Sequence, residues 1–378
     1  MKILVVSPKF HPVIGGGETF VQNSVEQLQK SGQEVVVAVE PLKDRIISNY
    51  SYPVIEIPGL SDSNFNVLEA PNGLYSLIKS YQPDIIHVHG YFGLLALGLC
   101  EQDIPIVVSI HSTPIWGNRI IGEMGGFEQE RIFAEQILNL TKPRVITGAN
   151  KVYTSAAKKL APRGVMVKEF PYPILDEFYN KHDSSIFRKR FKLGNKDILF
   201  TVPSRIIERK GIRESVNALA KLPQNFYLCL PSAINPLDRS YWDLICNSTE
   251  YKSVAKRVII PDQEILHDQM PFLYSASDLI VMPSYYEGAP VATVEAMASR
   301  RPFIGADSQG INYFIRHNQN GILVPQKTSR ELATAIFGLA YDKNLQKRLI
   351  SRAYKDVGEL SWKIQLPNLL TLYKEIGE

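Results

Sequence analysis

The feature that most constrains the fold is an alternation of short, β-branched apolar runs with stretches of helical spacing, a pattern that occurs twice. Lys2-Ile3-Leu4-Val5-Val6-Ser7 opens it. A run this short and nearly all apolar suits a strand covered on both faces. Residues 18–31 then set Phe20, Val21, Val25 and Leu28 on one side of a helix, with Gly32 as its C-cap. Residues 35–39, 54–57, 85–88 and 106–110 read as further strands, and 165–167 as a weaker one. At 197–202 the pattern restarts, with a helix from about Gly211 and strands at 226–230, 257–260, 279–282, 302–304 and 321–324. Strands separated by helices imply βαβ units and parallel sheets. A length of 378 residues suits two such domains. The junction is expected near Phe170-Pro-Tyr-Pro-Ile174, where two prolines stiffen an extended segment. The fold class is therefore α/β, with two doubly wound domains facing each other across a cleft. Ligands of such sheets bind at the carboxyl ends of the strands.

Composition removes several other classes. Hydrophobic residues at 45% and charged residues at 21% are ordinary for a globular protein and exclude a disordered or fibrous chain. The longest largely apolar run, residues 91–100, is half of what a spanning helix needs. Lys2 is followed by only five apolar or small residues before Pro8, too few for a signal-peptide core. Cys100, Cys229 and Cys246 lie far apart with no CxxC pair, which fits a reducing compartment rather than a disulfide framework or cysteine zinc site. A cytoplasmic location is expected. The net charge of +4 does not suit a polyanion binder, and no nucleic-acid partner is expected. Its distribution is uneven. Residues 1–140 carry 8 Lys/Arg and 15 Asp/Glu, whereas 141–168 carry seven basic residues and no acid. That block suits either contact with anionic lipid, as at the inner face of a cell membrane, or a plain solvated strand–helix–strand surface.

Four segments are candidates for chemistry. The loop after the first strand contains Gly15-Gly16-Gly17 just ahead of a helix, a geometry that leaves N–H groups open to a phosphate. It is neither a Walker A loop, for no Lys-Ser/Thr follows, nor a dinucleotide fingerprint, for Phe20 stands where the third glycine belongs. His89 and His111 end two strands at their carboxyl ends, and His87 points to the same side as His89. No HExxH or HxH-plus-carboxylate pattern accompanies them, so no metal is expected. The loop 203–211 offers Arg205 and Lys210, a bidentate fork and a point charge suited to a diphosphate, with Arg209 as a competitor. Finally, Met282-Pro-Ser-Tyr-Tyr-Glu287-Gly288-Ala289-Pro290-Val291 leads into a helix expected to begin near Ala289, its positive end facing the cleft. Glu287 then lies in the loop and Glu295 in the second turn, free to serve different partners.

Taken together, these segments resemble the retaining nucleotide-sugar glycosyltransferases of glycosyltransferase family 4, which have the GT-B fold. The resemblance spans nearly the whole chain in order. It includes the Gly-Gly-x-Glu loop, Pro83-Asp-Ile-Ile-His-Val-His89, Arg205…Lys210-Gly211, Asp278-Leu-Ile-Val-Met-Pro-Ser284, Glu287-x7-Glu295-Ala-Met-Ala and Asn320-Gly-Ile-Leu-Val-Pro325. It implies an acceptor domain over 1–172 with a returning helix at 360–378, and a nucleotide-sugar domain over 173–359. It further implies that Arg205 and Lys210 hold the diphosphate, Glu295 the ribose and Glu287 the donor sugar, beside Gly288, Ala289, Pro290 and Val291. The base would lie against residues 261–265. Gly16 and Gly17 would approach the phosphates, and His111 would lie near the reacting centre, so that Glu287, His111, Lys210 and Arg205 carry the chemistry. The implied reaction moves a hexose-type sugar from a UDP or GDP donor to a hydroxyl of a glycan, lipid-linked or small-molecule acceptor. It retains the anomeric configuration, and no cofactor or metal is expected. Polysaccharide or glycolipid biosynthesis is the corresponding setting.

Three departures bear on the donor sugar. Tyr172-Pro173 replaces the usual Asn-Gly, Gln309-Gly-Ile-Asn-Tyr313 lacks the carboxylate of Gly-Gly-x-x-Glu, and Ala289 replaces a frequent Phe or Gly. A non-hydrolysing sugar-nucleotide epimerase and a non-catalytic sugar-nucleotide-binding protein are the rival readings. The acceptor loop is expected at Trp116–Arg119 and Gly122–Gly126.

Overall fold

A computed structural model describes residues 1–13, 15–111, 127–234 and 238–377. The expected acceptor-loop segments at 116–119 and 122–126 lie outside the described residues. The chain divides into two compact units, Met1–Pro173 with Trp362–Glu378, and Ile174–Ser361.

The first unit is built on strands β1 (Lys2–Val6), β2 (Glu34–Val39), β3 (Val54–Glu56), β4 (Ile85–His89), β5 (Ile106–Ile110), β6 (Val145–Gly148) and β7 (Met166–Glu169). They form one parallel sheet in the order β3-β2-β1-β4-β5-β6-β7. Helices cover both faces, so Ile3, Leu4, Val5 and Val6 are all buried, which is why β1 carries no polar alternation. Strand β6 is the first strand of the strand–helix–strand reading of residues 141–168, which set no bounds for it. Its four residues, Val-Ile-Thr-Gly, follow Pro143-Arg144.

The second unit has strands β8 (Ile198–Thr201), β9 (Phe226–Cys229), β10 (Val258–Ile259), β11 (Leu279–Met282), β12 (Phe303–Ala306) and β13 (Ile322–Val324). They too pair in parallel, in the order β10-β9-β8-β11-β12-β13. Both sheets are of the doubly wound, Rossmann-like kind. In each, the chain reverses its direction of travel beside the first strand, between β1 and β4 and between β8 and β11. Loops diverge at such a switch point and leave a crevice at the carboxyl ends.

The last helix, Trp362–Gly377, belongs to the first unit. Trp362 stacks near Phe20 of the Gly16–Lys30 helix, with ring centroids 6.3 Å apart. The Tyr373 hydroxyl lies 2.6 Å from His87 Nδ1, and His87 Nε2 lies 2.8 Å from Ser109 Oγ, which in turn contacts Thr147 Oγ1 at 2.7 Å. His87 is thus a satisfied core histidine that ties the returning helix to β4, β5 and β6. Burial, with a smaller contribution from His111, pulls its pKa down to about 3. Burial also takes His111 to about 4 and His89 well below its ordinary value.

These three depressed values set the sign of a pH effect. The unfolded chain binds protons at its histidines below about pH 6.5, whereas the folded unit refuses them until near pH 4 or lower. Stability is therefore whole above about pH 6.5 and drains as the pH falls. Each histidine lowers stability by up to about 2 kcal/mol between pH 7 and pH 5. Urea unfolding followed by tryptophan fluorescence should give a clearly lower midpoint at pH 5, and His87→Gln should flatten the difference.

Candidate functional site

Two loops leave the switch point of the second unit, 202–211 after β8 and 283–290 after β11. They are stitched together by their backbones. The Tyr285 N–H donates to the Arg209 carbonyl at 2.8 Å. Gly211 sits at φ +67°, and an added Cβ would collide with the Pro283 carbonyl oxygen, so only glycine fits there. The Glu287 N–H donates to the Gln309 carbonyl at 2.9 Å. Gly310, at φ +89°, lies so close that a Cβ would collide with the Glu287 carbonyl oxygen.

This stitching brings the charged side chains together. Lys210 Nζ donates to Glu287 Oε1 at 2.5 Å, and Arg209 Nη1 lies 3.5 Å from Glu287 Oε2. Both members of the Lys210–Glu287 pair are largely buried. Burial is the largest influence on Lys210 and lowers its pKa; Glu287 opposes the shift, while Arg209 and Arg205 add to it. Arg205 is exposed in the same loop, and its guanidinium has no partner among the described residues. Two cations thus pair with one carboxylate while a third, Arg205, acts on Lys210, and the excess positive charge suits an anionic ligand.

The helix after β11 spans Val291–Ala298, two residues later than expected. Pro290 has a helical φ of −73° but an extended ψ of 95°, so it stands ahead of the helix rather than within it. Gly288 is exposed, and Ala289 and Val291 are half-buried, so the start of this helix faces outward beside Glu287. Glu295 is buried in the second turn, as its spacing from Glu287 implied. It has partners of its own: His267 Nε2 lies 2.7 Å from Oε1, and the Tyr274 hydroxyl donates to Oε2 at 3.3 Å. Burial depresses the His267 pKa, but Glu295, Asp268 and Glu177 together outweigh it, and the net shift is upward. Each Glu295 oxygen keeps a second lone pair for a ligand hydroxyl. His267 and Tyr274 are not anticipated from the sequence. His267 follows the 261–265 loop by only two residues, and proximity in sequence to that loop was the one available signal.

The first unit has a separate cavity of about 640 Å³ at the carboxyl ends of β1, β4 and β5. Gly17, Glu18, His89, Tyr91, Phe92 and His111 contribute to its lining. The glycine loop differs from a bare anion cradle. None of Gly15, Gly16 and Gly17 has a positive φ, and an added Cβ at Gly16 would meet nothing within 4 Å. Gly17 packs against His111, where an added Cβ would stand 3.4 Å from the ring, and the Glu18 carboxylate folds back over Gly15. His111 uses both ring nitrogens: Nε2 lies 2.8 Å from His89 Nδ1, and Nδ1 lies 2.6 Å from the Tyr172 hydroxyl.

The structure therefore gathers Arg205, Lys210, Glu287, Gly288, Ala289, Pro290 and Val291 at one crevice of the second unit. Glu295 stands on the same helix, engaged with His267. Gly16, Gly17 and His111 lie in the first unit beside its cavity. Among the described residues, no helix is long and apolar enough to cross a membrane.

Comparison with known proteins agrees with this geometry. Residues 183–356 match the family described as glycosyl transferases group 1, and residues 14–146 match glycosyltransferase family 4. An uncharacterised glycosyltransferase of Methanocaldococcus jannaschii is 24% identical over 99% of this chain and 98% of its own length. Among solved structures, sucrose-phosphate synthase from Thermosynechococcus elongatus superposes with a TM-score of 0.84 at 19% identity, covering 99% of this chain and 98% of the other. Anabaena HepE in complex with UDP-glucose gives a TM-score of 0.78 at 17% identity, covering 99% and 100%. With two family matches in chain order, two Rossmann-like units of GT-B type and a charged crevice at the second switch point, the chain belongs to the family 4 type of glycosyltransferases.

Proposed function

We propose that this glycosyltransferase moves a hexose-type sugar from a nucleoside-diphosphate donor to a hydroxyl group of a glycan acceptor, with retention at the anomeric carbon. The observation that carries the reading is the pairing of Lys210 and Arg209 with Glu287, with Arg205 close enough to act on Lys210, at the place where a doubly wound sheet binds ligands. Breaking the sugar–diphosphate bond develops negative charge on the leaving phosphate. Arg205 and Lys210 hold that charge, and the N–H groups at the start of the Val291–Ala298 helix add to it. Glu287, released from part of its pairing as Lys210 turns to the phosphate, accepts from hydroxyls of the donor sugar. Glu295 accepts from the ribose, and the loop at 261–265 supports the base. The bond from the anomeric carbon to the diphosphate oxygen breaks, and a bond to the acceptor oxygen forms on the same face. The acceptor's proton passes to the leaving phosphate. No metal is assigned a part in this scheme, since three side-chain cations stand at the crevice.

The basic block of residues 141–168 bears on the acceptor's setting. Lys142 and Arg144 immediately precede β6, Arg163 precedes β7, and Lys158 and Lys159 end the Lys151–Leu160 helix that runs back to the same edge. All five are exposed, beside the exposed apolar Leu140 and Met166. This supports peripheral contact with an anionic membrane at about 1 kcal/mol per cation. That edge is at the amino ends of the strands, whereas the first unit's cavity is at the carboxyl ends. Five-residue strands separate them by roughly 15 Å. A hydroxyl carried on a glycan above the bilayer, lipid-linked or free, fits this arrangement better than a lipid headgroup itself.

Three tests follow from this reading. A thermal-shift screen should show stabilisation by a nucleoside diphosphate, UDP or GDP, in the wild type. Arg205→Ala should keep the unliganded melting temperature, because the side chain is exposed and unpaired, yet lose most of that stabilisation and about 100-fold in transfer rate. An unaltered rate would remove Arg205 from the site. Transfer measured by NMR after exhaustive EDTA treatment should proceed at the untreated rate and give a product with the donor's anomeric configuration; an inverted product or loss of activity restored by Mg²⁺ would refute the scheme. Co-sedimentation with phosphatidylglycerol vesicles should occur at low salt and fail once the salt is raised several-fold, and absence of binding at low salt would remove the membrane contact.

A further inference from the structure

The carboxylate assigned to the ribose, Glu295, is held by its neighbours. It lies in the second turn of the Val291–Ala298 helix, with 6% of its side chain exposed. Both partners come from one adjoining stretch, the single turn His267–Gln269 and the helix Met270–Ala276 that follows it. The two contacts differ in strength. His267 Nε2 lies 2.7 Å from Oε1, the length of a charge-assisted bond, and a carboxylate only accepts, so Nε2 carries the hydrogen. The Tyr274 hydroxyl lies 3.3 Å from Oε2, too far to fix the carboxylate by itself. Burial lowers the His267 pKa, but the carboxylates of Glu295, Asp268 and Glu177 more than offset it, which supports a ring that donates. The ring is itself braced, for its centroid lies 5.4 Å from that of Phe178, and Phe178 lies 5.7 Å from Tyr274. Just ahead, Ile265 ends the loop assigned to the base. It is buried, and its N–H donates to the Pro231 carbonyl at 3.1 Å. The His267–Glu295 bond thus ties the loop assigned to the base to the carboxylate assigned to the ribose.

We propose that His267 is a positioning residue for the donor's ribose: its Nε2–H holds Glu295 Oε1 so that the carboxylate keeps one orientation, in which its remaining lone pairs accept from ribose hydroxyls, and the chain thereby selects ribonucleoside over deoxyribonucleoside diphosphates. This role rests on the glycosyltransferase reading above and deepens it by naming what orients the ribose contact. The terminal torsion of a glutamate is broad, so a carboxylate without a strong partner turns freely. Losing the shorter of its two bonds would leave Glu295 with no fixed acceptor direction. The His267 side chain is 30% exposed, so its removal takes little from the core, whereas the carboxylate it orients is buried. A buried acceptor built for a hydroxyl rejects an analogue that lacks the hydroxyl, because its lone pair is then left unmatched. Orientation of Glu295 is therefore what the selection depends on.

The test is calorimetric titration of the full chain with UDP, GDP and their 2′-deoxy and 3′-deoxy counterparts, in the wild type and in His267→Phe, His267→Leu, His267→Gln and Glu295→Gln. In the wild type, the diphosphate that binds should do so about 10-fold more tightly than at least one of its deoxy counterparts. His267→Phe and His267→Leu, two apolar replacements of different shape, should stay folded yet bring that ratio to about 2-fold or less. His267→Gln, whose side-chain N–H reaches nearly the same place, should restore the ratio, and Glu295→Gln should lose it. A ratio kept by both apolar variants and lost in Glu295→Gln would overturn the role of His267 while leaving the ribose contact of Glu295 standing. A ratio lost in the apolar variants and not recovered by His267→Gln, or apolar variants that both fail to fold, would mark His267 as a packing residue and overturn the role likewise. Equal binding of ribo and deoxy forms by the wild type would refute the selection with the diphosphate reading intact. No binding of UDP or GDP by the wild type would defeat the donor reading itself, and the role of His267 with it.

Discussion

The contact on which the charged crevice depends is the buried pair between Lys210 and Glu287. A lysine and a glutamate taken out of water destabilise the fold unless their geometry is good and further partners are present. Here a 2.5 Å contact, a second cation in Arg209 and two backbone hydrogen bonds that pin the loops supply that geometry. The pair holds Lys210 inward, against Glu287. It also sets the Glu287 carboxylate against both Lys210 and Arg209. Removing either partner strands the other in a low-dielectric place, a loss typically worth about 3–5 kcal/mol. The two glycines with positive φ, Gly211 and Gly310, are what let the loops approach closely enough for the pair to form. Backbone conformation and site electrostatics are therefore one problem at this crevice, solved by the same few residues.

The two units use the same device for different ends. Each sheet reverses at its first strand, and each opens a place at the carboxyl ends where loops diverge. In the second unit that place collects cations. In the first it collects aromatic and imidazole groups, and its cation Lys9 is cancelled by Asp62. The contrast in charge is also visible along the chain, for the first 140 residues carry 8 basic and 15 acidic side chains. A phosphate-bearing ligand suits the one environment and an uncharged, hydroxyl-rich ligand suits the other.

Much of this was legible in the amino-acid order. Alternation of apolar runs with helical stretches marks a doubly wound sheet because both faces of each strand must be covered, and β1, β5 and β11 are apolar for that reason. The eight-residue spacing of Glu287 and Glu295 could be placed because a proline before a helix fixes the register within about two residues. What escaped was tertiary. His267 and Tyr274 reach Glu295 from other elements, and no local pattern announces such meetings. The histidines illustrate the same limit. Strand ends put His89 and His111 at the correct edge of the sheet, but only the fold reveals that His111 has both nitrogens taken while the buried His89 Nε2 has no hydrogen-bond partner among the described residues.

The account stands on the claim that the crevice between β8 and β11 recognises its donor chiefly through the diphosphate. Calorimetric titration of a nucleoside diphosphate against the corresponding nucleoside measures this directly. The account predicts that the diphosphate binds at least about 100-fold more tightly, with affinity falling as salt is raised, because charge-assisted contacts to Arg205 and Lys210 supply most of the difference. Equal affinities for the two ligands, unaffected by salt, would contradict it.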